Sequence, residues 1–90
     1  MTKISILVWD EFNKEHIKKH KLTIQEVENA VQNTATHNQG YGNRFILIGR
    51  SENRILAIVL AKQKKGSYYV VTARDASKKE RKILYDKEIT

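Results

Sequence analysis

The chain is predicted to be a single α+β domain, an antiparallel sheet with helices packed on it, and three observations predict it. Apolar runs at residues 45–48, 55–61 and 68–73 are rich in β-branched and aromatic residues and are separated by short polar turns. Two capping boxes, Thr23 with Glu26 and Ser77 with Glu80, each open a helix-like stretch. The resulting order is β-α-α-β-β-β-α, with no repeat, no proline and no low-complexity segment. Ninety residues leave room for one core, so residues 1–90 are taken as one domain.

Each element follows from local chemistry. Residues 5–9 are apolar and read as a short strand. Asp10 caps a helix whose body is 13–19, with Phe12 and Ile17 as its apolar contacts. So short a helix depends on the sheet beneath it. In the next box the Thr23 hydroxyl accepts from the Glu26 backbone N–H and the Glu26 carboxylate accepts from that of Thr23; Leu22 and Val27 supply the hydrophobic staple. Ile24, Val27, Ala30 and Val31 recur at helical spacing, so the second helix runs to about Gln32 with one face buried. Residues 33–43 are polar, contain Gly40 and Gly42, and read as the one long loop. A strand at 45–50, a turn at Ser51-Glu52-Asn53 and a strand at 55–61 form a hairpin. A second turn at 62–66 leads into the last strand, 68–73. Runs this apolar suit central strands. The box at Ser77 opens a third helix through Tyr85, and 86–90 is a polar tail. The expected architecture is a three-stranded meander with helices on one side and the first strand added at an edge.

Seventeen Lys and Arg against ten Asp and Glu give a formal charge of +7 and a pI near 9.8. Such a surface suits a polyanion, either nucleic acid or an acidic protein. The plainer alternative is a solvated Lys-rich exterior. The absence of Cys excludes disulfides, thiolate nucleophiles and sulfur metal sites, and fits a reducing cytoplasm. The first apolar run is too short for a signal peptide, and no stretch reaches bilayer-spanning length. A Gly-rich phosphate loop, a Ser-His-Asp set and usable paired carboxylates are all missing, which argues against hydrolases of those types.

If the ends of the strand-like and helix-like runs converge, one basic surface would carry an imidazole, two guanidinium forks and the Trp9 indole, a chemistry suited to cutting a phosphodiester in RNA without a metal. Of the three histidines, His16 and His20 share a helix face, but without further ligands that spacing does not define a metal site. No metal or other cofactor is expected. His20 suits a general acid or base, and the adjacent Lys19 supplies positive potential. His16 reads as structural or phosphate-binding and His37 as a loop residue. Arg50 and Arg74 follow apolar strands, where a guanidinium fork can hold a scissile phosphate and stabilise its transition state. The alternative is a salt bridge to an acid such as Asp75 or Glu52, and Arg44 and Arg54 could serve equally. Lys78, Lys79, Arg81 and Lys82 line the last helix and would attract backbone phosphates without reading sequence; an exposed helix face explains them as well. Trp9, Tyr41, Tyr68 and Tyr69 could stack on bases, although most suit the core better. Tyr85, on the basic helix, is the aromatic expected at the surface.

Val8-Trp9-Asp10, Asn13, the Lys19-His20 pair and Leu22-Thr23 together resemble the opening signature of the BrnT family. Residues 45–51 and 71–81 extend the resemblance, which covers roughly Ile4 to Tyr85. It implies a RelE-like fold and a metal-independent endoribonuclease toxin of a type II toxin–antitoxin system. The implied partners are an RNA substrate and a cognate antitoxin, with a DNA-binding domain, that masks the active face and carries the complex to its operator. Trp9, Lys19, His20, Arg50 and Arg74 match positions that the family keeps or uses. In the family a glycine usually follows the Lys-His pair as the helix cap. Here Lys21 stands there, at a steric cost if its backbone must be left-handed.

Overall fold

The computed structural model describes residues 6–39, 42–64 and 66–89. Its elements are β1 (Ile6–Val8), α1 (Glu11–Lys19), α2 (Ile24–Gln32), β2 (Thr34–Gln39), β3 (Arg44–Ser51), β4 (Arg54–Lys62), β5 (Ser67–Asp75) and α3 (Lys78–Ile89). The strands form one sheet in the order β1-β5-β4-β3-β2. β2 to β5 pair antiparallel, and β1 joins β5 in parallel at the edge. Every expected element is present in the expected order. Tyr41, one of the possible stacking aromatics, and Ser5, the expected start of the first strand, lie outside the described residues.

The segment expected to be a loop contains a strand, β2. It carries almost no apolar alternation, but an edge strand needs none, because the ladder from β3 supplies its hydrogen bonds. The helices also lie on both sides of the sheet rather than one. β4 is apolar on both faces, so each face needs a cover. Leu56, Ile58 and Leu60 pack with Ile17 of α1, with Leu22, and with Val27 and Ala30 of α2. Ile55 instead joins Ile48, Ala76 and Leu84, under α3. Leu84 is 1% exposed and is the one buried apolar side chain among the described residues of α3. Burying it contributes roughly 1.5–3 kcal/mol.

α1 starts two residues before the expected body, and Phe12 is 82% exposed instead of packing. The inward role falls to Asn13, which completes a capping box with Asp10. Its Nδ2 donates to the carbonyls of Val8 at 2.9 Å and Val70 at 3.1 Å, tying α1 to β1 and β5. α3 extends through the segment expected to be a polar tail.

The end of α1 has a defined geometry. Lys21 adopts φ of 57°, a left-handed conformation, so the lysine bears the steric cost that glycine would avoid. The Leu22 N–H donates to Ile17 O at 3.0 Å and the Lys21 N–H to Lys18 O at 2.9 Å. This pair of bonds is a Schellman motif, sealed by burial of Leu22 and Ile17 in one cluster. A lysine occupies the position glycine usually takes, and His20 is the cap residue just before it.

Candidate functional site

The end of β3, the start of β4 and the end of β5 lie together at one end of the sheet, because Arg50 pairs with Ile55 and Ala57 with Arg74. Strand alternation then assigns faces. Arg50, Ile55, Ala57 and Arg74 point toward α3, whereas Arg54, Leu56 and Asp75 point toward α1 and α2. The expected site residues therefore converge on one end but divide between two faces. Arg50 and Arg74 are on the α3 side, and the exposed Lys19 and His20 are at the end of α1 on the other.

Both expected arginines are held by carboxylates of α3. Arg50 donates Nε and Nη2 to Glu88 at 3.0 and 2.8 Å. Arg74 donates Nη1 and Nη2 to Glu80 at 2.7 and 3.0 Å, and Nη1 also reaches the Asp75 carbonyl at 3.3 Å. Each fork has five N–H donors. Among the described residues, Arg50 keeps both Nη1 hydrogens and one Nη2 hydrogen, and Arg74 keeps Nε–H and one Nη2 hydrogen, without a protein acceptor. The salt-bridge alternative is thus present, with Glu80 and Glu88 as partners instead of Asp75 and Glu52. Glu80 was legible as a cap, since it also accepts from the Ser77 N–H at 2.8 Å; Glu88 sat in the presumed tail.

Glu80 has an acid-sensitive consequence. The Arg74 hydrogen bonds, and then that of Ser77, push its carboxyl down from an ordinary 4.5 to about 2, against the opposing effect of burial. Between those values the unfolded chain binds a proton that the folded chain does not. The pair's stabilisation is therefore complete above about pH 4.5 and is lost as the pH falls toward 2. Denaturant unfolding at pH 6 and pH 3 should show Glu80→Gln losing less stability on acidification than the parent. Equal losses in the two proteins would contradict this assignment.

The most heavily bonded side chain at this end is Arg54. It donates to Asp75 through Nε at 2.7 Å and Nη2 at 3.1 Å, and to Glu26 through Nη1 at 3.1 Å. It also donates to the carbonyls of Lys21 at 2.9 Å and His20 at 3.2 Å. The Arg54 hydrogen bonds, more than any other influence, hold Asp75 below the ordinary carboxylate range, and the charges of Arg81 and His20 act in the same direction. Through Arg54, Asp75 at the end of β5 is tied to the end of α1. The His20 ring lies 5.6 Å from that of His16.

The basic residues of the last helix form one surface. Lys78, Lys79, Arg81, Lys82 and Tyr85 line an open groove of about 670 Å³. Trp9 lies elsewhere, half-buried against the core on the α1–α2 side, where its indole N–H donates to Glu28 at 3.1 Å. Tyr68 is buried and meets Phe45 edge-on, and the Tyr69 hydroxyl bonds Asp10 at 3.1 Å, so both serve the fold. His37 falls within β2. Among the described residues no three His, Asp or Glu side chains gather as metal ligands, and no helix is long and apolar enough to cross a membrane.

Comparison with known proteins places these features in context. Residues 9–80 match the family model described as the ribonuclease toxin, BrnT, of type II toxin–antitoxin systems. Among solved structures, the chain resembles the 1.1 Å crystal structure of the Brucella abortus ribonuclease toxin, BrnT. The TM-score is 0.66 at 22% identity, over 82% of this chain and 99% of that one, a likeness of fold. No curated protein matches the chain.

Proposed function

The chain belongs to the BrnT family of type II toxin–antitoxin ribonuclease toxins, and from that premise we propose that it is an endoribonuclease that cuts RNA without a metal. Family membership implies an RNA substrate and an antitoxin partner. In the proposed reaction the 2′-hydroxyl oxygen attacks the adjacent phosphorus and the bond from phosphorus to the 5′-oxygen breaks. The products are a 2′,3′-cyclic phosphate and a 5′-hydroxyl. His20 takes the proton from the 2′-hydroxyl or returns one to the departing oxygen. Arg74 and Arg50 offer the phosphate the donors that α3 leaves open, and Lys19 adds positive potential. Lys78, Lys79, Arg81, Lys82 and Tyr85 would hold flanking nucleotides by charge and stacking, with Trp9 supporting from the core. The antitoxin would cover this end of the molecule in the cytoplasm and bring the complex to operator DNA through its own DNA-binding domain.

The observation that supports this reading is that the end of α1 with His20, the strand ends with Arg50 and Arg74, and the start of the basic helix α3 all lie at one end of the sheet, with His20 on one face and the two arginines on the other. A rival reading is a basic module that binds RNA or an acidic protein without catalysis. The carboxylate clamps on Arg50 and Arg74 favour it. Incubation of the purified chain with RNA in EDTA separates the two. Cleavage with cyclic phosphate ends is expected, and intact RNA at every ratio leaves only the binding module. Replacing Lys78, Arg81 and Lys82 by Ala should weaken RNA affinity and flatten its logarithmic salt dependence by about 2, at roughly 0.7 for each phosphate no longer neutralised. An unchanged slope would remove the groove from the RNA path.

A further inference from the structure

We propose that Arg54 is a positioning residue for His20, a clamp that fixes the end of α1 so that the imidazole is presented in one place. The proposal rests on the reading of His20 as general acid or base. Arg54 is the first residue of β4, and its five hydrogen bonds match the five N–H donors of a guanidinium. Two of the five go to the carbonyls of His20 and Lys21. These belong to the helix end, where carbonyls lack intrahelical partners. The turn they hold is strained, because a lysine sits in the left-handed position that favours glycine. A clamp on the carbonyls to either side of that strain keeps the turn from relaxing.

The rest of the fork ties this helix end to rigid parts of the fold. Glu26 lies in the first turn of α2, and its carboxylate is already committed to the Thr23 cap. Asp75 ends β5, and its carboxylate accepts two of the Arg54 hydrogen bonds. Arg54 therefore joins α1, α2, β4 and β5 at the point where His20 emerges. Only a planar, five-donor fork makes all these bonds, which a lysine ammonium does not reproduce. A small loss of position at a reacting group costs on the order of a hundredfold in rate.

The test is steady-state RNA cleavage in EDTA by the full chain. The variants are Arg54→Gln, Arg54→Ala, His20→Ala and the combined His20→Ala/Arg54→Ala, with Arg44→Ala as a charge control at the far end of β3. Both Arg54 variants should lower kcat about a hundredfold and leave KM within about twofold, while Arg44→Ala matches the parent. Adding Arg54→Ala to His20→Ala should lower kcat no further, because the arginine acts through the histidine. Additive losses, or a raised KM with kcat intact, would overturn the proposal. Amide exchange supplies a readout that needs no activity. In Arg54→Ala, or in Arg54→Gln should the alanine variant not fold, Lys21 and Leu22 should exchange about tenfold faster or more while Val27 and Ala30 stay protected. Unchanged exchange at the turn sinks the clamp even for a chain that cuts nothing. Full cleavage by His20→Ala, with exchange still accelerated in Arg54→Ala, sinks the role of His20 and leaves the clamp standing.

Discussion

Replacing His20 by Ala is expected to lower kcat for RNA cleavage by about 10²–10⁴-fold, the usual contribution of a positioned general acid or base. His20 is the cap residue of α1 and is exposed, so its removal leaves the core intact. Folding should be little changed, and KM should move little because phosphate affinity comes from the cationic side chains. His16→Ala is the control. It lies on the same helix face, with its ring 5.6 Å away, but one turn back from the sheet end. Its loss should cost severalfold at most. Single-turnover cleavage of a short RNA by the three proteins checks this, and equal rates for His16→Ala and His20→Ala would remove His20 from the chemistry.

The largest effect on stability is expected from Gly49→Ala. A Cβ at Gly49 would overlap the carbonyl oxygen of Ala30 and fall 2.9 Å from its carbonyl carbon. These are backbone atoms of α2, so no side chain can swing aside. Either α2 lifts from β3 or the strand bows, and Val27 and Ala30 are prised out of the main cluster. Overpacking of this kind costs about 1–3 kcal/mol and occasionally more, and a clash with helix backbone belongs at the top of that range. For a domain of this size about 3 kcal/mol lowers Tm by roughly 12 °C or more. Thermal unfolding followed by circular dichroism measures it. A Tm within about 2 °C of the parent would mean that α2 shifts freely, contrary to its tight seat on β3.

Much of this architecture was legible in the residues. Thr23 and Glu26 form the reciprocal bonds their spacing implies, at 2.9 and 3.1 Å, and Ser77 and Glu80 do the same at 2.8 and 3.2 Å. Whether Lys21 takes a left-handed backbone was left open by the sequence, and the structure shows that it does. The illegible parts have physical reasons. β2 lacks an apolar pattern because an edge strand is held by its neighbour's backbone. The side on which each helix lies was hidden because β4 is apolar at consecutive positions, Ile55 to Ile58, so alternation assigns no face.

The candidate site was read less completely. Arg50, Arg54 and Arg74 look alike in the sequence, each beside an apolar strand. Their difference depends on pairing register, which sends Arg54 toward the end of α1 and the other two toward α3. A one-residue slip would exchange those faces. Lys78, Lys79, Arg81, Lys82 and Tyr85 could be grouped from the sequence because they are close neighbours on one helix, but the groove they line was not visible there. Sites built from one helix can be read along the chain, whereas sites built across strands need the register.

The parallel edge strand bears on how the protein is made. β1 is made before its partners Ser67, Tyr68 and Tyr69, which come about sixty residues later. A three-residue strand cannot stand alone through that interval. It must wait unpaired until β5 has been synthesised, then close the longest loop in the sheet as a late step of assembly. Anything that competes for the free edge of β5 during translation would trap an incomplete molecule.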